Sequence, residues 1–126
     1  MEKKRILIID DEPKFTRLLR MNLEQEGSYE VREENWGKRA LSTAQEFDPD
    51  LILMDVIMPD IDGASVAEQF KGNERLRNVP VIFLTAVVSK QEVGTAAKNI
   101  GGNMFIAKPV SIKELVDSIQ KTIQGN

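Results

Sequence analysis

The sequence predicts an α/β fold in which a five-stranded parallel sheet is covered by helices on both faces. Five short segments of strand type alternate along the chain with segments whose apolar residues recur three and four positions apart. This (βα)₅ alternation is typical of parallel sheets, because each strand returns to the same edge through a crossover helix. The length of 126 residues suits one domain, and we expect a single domain over residues 1–126.

The composition of the strands predicts their order in the sheet. The five predicted strands are Arg5–Ile9, Tyr29–Glu33, Leu51–Met54, Val81–Thr85 and Met104–Ala107. The first, third and fourth are almost wholly apolar, as expected of central strands that are buried on both faces. The second alternates between apolar and polar residues, which is typical of an edge strand. The flavodoxin-like order 2-1-3-4-5 satisfies both observations and brings the carboxyl ends of strands 1 and 3 together at a ligand-binding switch point.

The predicted helices each have one apolar face, and turn residues separate them from the strands. Their apolar positions fall within Phe15–Leu23, Ala40–Phe47, Val66–Phe70, Val93–Ile100 and Ile112–Ile123. We expect Gly27 to close the first helix and Gly101-Gly102 the fourth, since glycine adopts the backbone conformation that ends helices. Ser111 is expected to cap the last helix.

The composition excludes several classes of chemistry. The chain has no Cys and no His, so any reaction must use carboxylates, hydroxyls, lysine or backbone groups. A metal bound by such ligands would be hard, with Mg²⁺ or Mn²⁺ as the leading candidates. The net charge of −3 argues against direct binding of nucleic acid. No apolar run is long enough for membrane insertion, and we expect a cytoplasmic protein.

Four of the predicted strands end in short segments that carry polar side chains. They are Asp10-Asp11, Asp55, Thr85-Ala86 and Lys108-Pro109. Carboxylates about 5 Å apart at an effective dielectric constant of about 20 repel by roughly 3 kcal/mol per pair. A divalent cation and the ammonium group of Lys108 are the available compensation. A hydroxyl and a lysine beside a metal also suit a phosphoryl group, whose oxygens need cations and hydrogen-bond donors.

Four segments carry a family resemblance: IIDDEP, LILMDVIMPDIDG, VIFLTA and MFIAKP. Together they closely resemble the motifs of response-regulator receiver domains, including the chemotaxis regulators, of bacterial two-component systems. The resemblance runs from about Arg5 to Gln124. It implies a signalling domain that takes a phosphoryl group from a sensor histidine kinase or a histidine phosphotransfer protein. Such a domain is not an enzyme acting on other substrates, because it promotes only its own phosphorylation and dephosphorylation.

The resemblance implies a phosphorylation site and a metal site. Asp55 would be the phosphoryl acceptor and would form an aspartyl phosphate. Asp11 and Asp55 would bind Mg²⁺ directly, together with the backbone carbonyl of Ile57. Asp10 would act on the metal mainly through water.

Further roles follow from the same resemblance. Lys108 would pair with the acceptor carboxylate and then with the phosphoryl oxygens. The Thr85 hydroxyl and the Ala86 backbone N–H would bind a phosphoryl oxygen. Phe105 corresponds to an aromatic side chain whose rotamer changes with phosphorylation, so Thr85 and Phe105 would form the switch. The Lys108-Pro109 bond corresponds to one that is usually cis in the family.

Ordinary structural roles are the alternatives for several of these residues. Asp10 and Asp11 would also suit a cap on the first helix. Thr85 could cap the fourth helix, and Phe105 could be a core residue without further function. Trp36 is expected to be a partly buried residue at a helix start, and we assign it no function.

Two positions are expected to control the lifetime of the phosphoryl group. In the family they lie two residues after the acceptor and two after the threonine, which are Ile57 and Val87 here. Both are apolar and cannot orient an attacking water by hydrogen bonding. The family also uses the surface of helix 4, strand 5 and helix 5 to bind an output protein or domain, or to form a self-dimer.

Two other classes of function are weighed against the receiver. A flavodoxin-like small-ligand binder would need a Ser/Thr/Gly-rich phosphate loop after strand 1, where this chain has DDEPKF. A phosphatase of the aspartyl-phosphate type would need an Asp-x-Asp nucleophile motif, which DVIMPD does not supply. A receiver that served only as a structural module would lack Asp55, Lys108 or the acidic pair, and all of them are present.

Overall fold

The computed structural model describes residues 2–86 and 104–124 and confirms the α/β class. The strands are β1 (Lys4–Ile9), β2 (Tyr29–Glu34), β3 (Leu51–Asp55), β4 (Val81–Thr85) and β5 (Met104–Ala107). The helices are α1 (Pro13–Gln25), α2 (Ala40–Phe47), α3 (Gly63–Lys71) and a C-terminal helix (Ile112–Gln124), with a 3₁₀ turn at Gly37–Arg39. The predicted fourth helix, Gly101-Gly102 and Val87 lie outside the described residues. No described helix is long and apolar enough to span a membrane.

The sheet is parallel throughout and has the order 2-1-3-4-5, as the strand compositions predict. Every residue of β3 is buried, in agreement with a central position between β1 and β4. β2 lies at an edge, and its burial alternates along most of its length. The register pairs Ile9 with Met54 and Thr85 with Ala107, so that these strands end at one edge of the sheet.

Two apolar layers hold the sheet between the helices. On one face, inward side chains of the strands pack against α1 and the C-terminal helix, through residues such as Leu23, Leu115 and Ile119. On the other face they pack against α2 and α3, through residues such as Phe47 and Phe70. Burial on both faces explains why the central strands are apolar without interruption.

The helix ends agree with the turn residues in the sequence, except at the start of α1. Gly27 follows α1 with φ = 84°, a conformation that glycine adopts without strain. The Ser111 hydroxyl accepts a hydrogen bond from the Glu114 N–H at the start of the C-terminal helix. Glu12, rather than Asp11, occupies the cap position of α1, and its side chain makes no capping hydrogen bond. The capping interpretation of Asp10 and Asp11 is therefore wrong.

The segment between β2 and α2 departs from the sequence prediction at one residue. Trp36 precedes the 3₁₀ turn, but its side chain is 57% exposed rather than partly buried. The buried carboxylate in this segment belongs to Glu34. Its two oxygens accept hydrogen bonds from the Thr43 hydroxyl, at 2.6 Å, and from the Trp36 N–H, at 2.9 Å. These bonds offset the cost of burying the carboxylate.

Candidate functional site

Three carboxylates meet where β1 and β3 end. Asp10 and Asp11 follow β1, and Asp55 is the last residue of β3. One oxygen from each carboxylate lies within 4.8 Å of the others. Asp10 and Asp55 are buried, whereas Asp11 is partly exposed. The pairing of β1 with β3 therefore concentrates negative charge in a place where water screens it poorly.

Lys108 supplies positive charge to this cluster from the end of β5. Its ammonium nitrogen lies 2.7 Å from Asp10 Oδ2 and 3.7 Å from Asp55 Oδ2, so it hydrogen-bonds Asp10 rather than Asp55. The exposed Glu12 carboxylate is 4.0 Å away. The backbone N–H of Lys108 donates to the Thr85 carbonyl at 2.8 Å. The Lys108-Pro109 peptide bond is cis.

Burial and neighbouring charges shift the ionisation of the two groups closest to the centre. Burial raises the pKa of Asp55 to about 6, and the Asp10 charge adds to this effect. Lys108 and a hydrogen bond from the Ile57 backbone N–H oppose the rise without cancelling it. Burial acts to lower the pKa of Lys108, but its hydrogen bond to Asp10 and the nearby carboxylate charges outweigh burial and raise that pKa.

An open pocket of about 560 Å³ gives access to the Asp55 carboxylate. Its lining residues come from the ends of β1, β3, β4 and β5: Asp11, Glu12, Asp55, Ile57, Thr85, Ala86 and Lys108. Thr85 is almost fully buried, whereas the Ile57 side chain is 75% exposed. The pocket therefore combines carboxylates, a hydroxyl and an ammonium group around space that a small anionic group can enter.

The donor set suits a hard divalent cation. The three aspartates offer only oxygen atoms, which Mg²⁺ and Mn²⁺ prefer as ligands. The Lys108 ammonium is the one described cationic group within 4.0 Å of Asp10 or Asp55. The cluster therefore retains excess negative charge, and the residues present fit a bound divalent cation.

Among the described residues, the structure brings together all but one of the site residues that the sequence suggests. Phe105 does not line the pocket; it is partly buried, and its ring stacks on that of Phe83 with the centroids 5.7 Å apart. Sequence reasoning missed Phe15, whose ring centroid lies 4.4 Å from the Lys108 ammonium nitrogen. It also missed Glu12. Glu12 lies within the IIDDEP segment, but the resemblance assigns it no role there, and Phe15 lies outside the four segments; both reach the site through the direction in which α1 leaves β1.

Comparisons with known proteins identify the family. Residues 6–120 match the family described as the response regulator receiver domain. The chain belongs to this family. It is therefore a receiver domain of the kind found in two-component response regulators, and the alternatives of a small-ligand binder and a phosphatase are not supported.

Two curated relatives differ in how much of their length this receiver covers. The polar-differentiation response regulator DivK of Brucella ovis is 34% identical over 117 residues, which are 93% of this chain and 94% of DivK. The DNA-binding dual master transcriptional regulator RpaA of Synechocystis is 32% identical over 120 residues, or 95% of this chain. This chain spans about half of RpaA, 49% of its length.

Solved structures agree with the fold. The signal receiver domain of a signal transduction histidine kinase from Syntrophus aciditrophicus is 32% identical, with a TM-score of 0.83 over 97% of this chain and 91% of that one. The chemotaxis protein CheY4 of Vibrio cholerae is 25% identical, with a TM-score of 0.81 over 94% of this chain and 97% of that one. These similarities confirm the flavodoxin-like order of the sheet.

Replacing Asp55 with Asn should stabilise the receiver at neutral pH when divalent cations are absent. Because the pKa of Asp55 is raised from 3.8 to about 6, folding disfavours its ionised form. The resulting loss of stability grows as the pH rises from about 4 to about 6 and is complete above that range. We expect the free energy of unfolding of Asp55→Asn to exceed that of the wild type by about 1–3 kcal/mol at pH 7.5 and by little below pH 4.

Urea denaturation in EDTA between pH 4 and pH 8 measures this difference. Asp117→Asn, which changes an exposed aspartate on the C-terminal helix, is the control and should follow the wild type. If the stability of wild type and of Asp55→Asn changed with pH in parallel, folding would not disfavour the ionised form of Asp55, and the prediction would be wrong.

Proposed function

We propose that Asp55 accepts a phosphoryl group and that this domain is the switch of a two-component pathway. The observation that carries the proposal is the arrangement of Asp55, which ends a fully buried strand and opens onto a pocket shared with Thr85 and Lys108. Membership of the receiver family supports the same chemistry. The donor is a sensor histidine kinase or a histidine phosphotransfer protein.

Transfer needs an ionised Asp55 and no general base. A carboxylate oxygen of Asp55 attacks phosphorus, and an O–P bond forms as the P–N bond to the donor imidazole breaks. The electron pair of the broken bond stays on the imidazole nitrogen. With a pKa of about 6, Asp55 is mostly ionised at neutral pH. The product is an aspartyl phosphate on Asp55.

Three neighbouring groups bind the transferred phosphoryl oxygens. The Lys108 ammonium is 3.7 Å from Asp55 Oδ2, so a small movement of its flexible side chain brings it into contact with a phosphoryl oxygen. The Thr85 hydroxyl and the Ala86 backbone N–H donate hydrogen bonds from the end of β4. An ammonium group and hydrogen-bond donors at the pocket stabilise the negative charge on the phosphoryl oxygens during transfer.

Asp10, Asp11, Asp55 and the Ile57 carbonyl are the groups that would bind Mg²⁺, or Mn²⁺ in its place. When bound, the cation neutralises charge on the phosphoryl oxygens and offsets the repulsion among the carboxylates. Asp10 also keeps Lys108 at the site through its 2.7 Å hydrogen bond, which supports a role for Asp10 beyond the metal.

Phosphorylation is read out on the β5 side of the domain. Thr85 pairs with Ala107 across β4 and β5, and Phe105 lies two residues earlier on β5. A movement of Thr85 toward the phosphoryl group therefore reaches Phe105 through adjacent strands. The output partner, or a second copy of the chain, would bind the surface of helix 4, β5 and the C-terminal helix. We propose that the domain is a single receiver unit that acts in the cytoplasm.

Treatment with a small phosphodonor and Mg²⁺ tests the acceptor. Wild type should gain the mass of one phosphoryl group, because the receiver itself supplies the catalytic groups, whereas Asp55→Ala should gain none. Intact-mass spectrometry at neutral pH measures the gain. Asp62→Ala, which changes the aspartate that caps α3, is the matched control and should still be phosphorylated. An equal gain in wild type and Asp55→Ala would reject Asp55 as the acceptor.

Replacing Ile57 with Asn should shorten the lifetime of the phosphoryl group several-fold. The Ile57 side chain lies at the pocket, where it occupies space without offering a hydrogen bond to an attacking water. An amide can orient such a water toward phosphorus. Loss of the phosphoryl mass over time after donor removal measures the rate, with Ile57→Val as the apolar control. An unchanged rate in Ile57→Asn would contradict this role for Ile57.

A further inference from the structure

Ile57 contributes to the site through its backbone, so its position depends on the loop that carries it. Its backbone N–H acts to lower the pKa of the Asp55 carboxylate, and the residue lines the pocket beside Asp55. Residues 56–62, the β3–α3 loop, connect the acceptor to α3. A side-chain ligand can adjust its rotamer, but a backbone ligand is placed only as accurately as its loop.

The end of the β3–α3 loop is fixed next to β3 itself. The Gly63 N–H donates to the Val56 carbonyl at 2.7 Å, which closes the loop. A Cβ atom on Gly63 would lie 2.5 Å from the Asp55 carbonyl oxygen, so only glycine allows this approach. The loop between these points still needs an anchor of its own.

The 3₁₀ turn at Gly37–Arg39 provides that anchor. Asp60 Oδ2 accepts a hydrogen bond from the Lys38 N–H at 2.9 Å, whereas Asp60 Oδ1 is buried and has no hydrogen-bond partner among the described residues. Ile61 packs directly on Gly37, where an added Cβ atom would lie 2.5 Å from Ile61 Cγ2. The same Cβ atom would lie 3.1 Å from Met58 Cε. Three loop side chains therefore contact one turn.

The turn is held in place from its other side. The Arg39 N–H donates to the Trp36 carbonyl at 3.0 Å, which closes the turn. The Trp36 N–H in turn donates to the buried Glu34 carboxylate at the end of β2, and the same carboxylate binds Thr43 of α2. The turn is thus tied to the sheet and to α2, and it can resist displacement of the loop.

We propose that the turn is a positioning element for the acceptor site and that Gly37 and Asp60 are its positioning residues. They act on the site through the β3–α3 loop, by fixing the peptide of Ile57 beside Asp55. The affinity of the receiver for Mg²⁺ therefore depends on contacts made by residues outside the pocket. This inference rests on the proposed function, because the Ile57 carbonyl as a metal ligand is part of that proposal.

Gly37→Ala tests the proposal against a matched glycine. The new methyl group must displace Ile61, whereas in Gly72→Ala it meets no atom nearer than 3.6 Å. Loss of support around a metal ligand typically weakens binding about 10- to 100-fold. We expect Gly37→Ala to bind Mg²⁺ about 10-fold more weakly than wild type and Gly72→Ala to bind it equally well. Isothermal titration calorimetry on folded protein measures the affinity.

Rescue separates positioning from a general loss of stability. Adding Ile61→Ala to Gly37→Ala removes the atom that the new methyl group would displace, so Mg²⁺ affinity should return toward that of Ile61→Ala alone. The amide resonance of Ile57 in Mg²⁺-free protein should shift in Gly37→Ala and return in the double variant. A purely structural role for Gly37 would lower the unfolding temperature and leave both readouts unchanged.

Asp60 provides a second test that does not depend on the folding of Gly37→Ala. Asp60→Ala removes the acceptor for the Lys38 N–H and should weaken Mg²⁺ binding. Asp60→Asn keeps an acceptor oxygen and should largely retain the Mg²⁺ affinity of the wild type. If both Asp60 variants and Gly37→Ala bind Mg²⁺ like wild type, the positioning role is wrong while the proposed function stands. If wild-type protein itself binds no Mg²⁺, the metal site of the proposed function is wrong, and this inference with it.

Discussion

The structure depends on one electrostatic constraint, which is the placement of three carboxylates close together at the edge of the sheet, with a single ammonium group beside two of them. Asp10, Asp11 and Asp55 approach within 4.8 Å of one another, and Lys108 neutralises only part of their charge. Burial raises the pKa of Asp55, and the Asp10 charge adds to this effect. Central strands that are packed on both faces tolerate this cost, since burial of apolar surface in the two core layers stabilises them.

The sequence predicts most of the fold and the location of the site because both depend on local patterns. Continuous apolar strands and one alternating strand indicate the central and edge positions, and the sheet has that order. In a parallel sheet the carboxyl ends of neighbouring strands share an edge. Residues far apart in the chain, such as Asp10, Asp55 and Lys108, can therefore be placed together from the sequence alone.

Such patterns do not predict which atoms are in contact at the site. Lys108 lies near three carboxylates, and the distances of 2.7 Å to Asp10, 3.7 Å to Asp55 and 4.0 Å to Glu12 make Asp10 its hydrogen-bond partner. Packing, rather than residue type, decides a difference of this size. The exposure of Trp36 and the contact of Gly37 with Ile61 are likewise set by how two loops meet. No local sequence signal reports how two loops pack on each other, because strand order does not determine that contact.

The dependence of folding stability on Mg²⁺ tests the central claim most directly. Urea denaturation of wild type at pH 7.5 and increasing Mg²⁺ should show a rising free energy of unfolding that follows single-site binding to the native state. Asp11→Asn, which removes one carboxylate charge from the cluster, should show a much smaller rise. A wild-type stability that is independent of Mg²⁺, or an equal rise in Asp11→Asn, would contradict the claim that the carboxylate cluster is completed by a divalent cation.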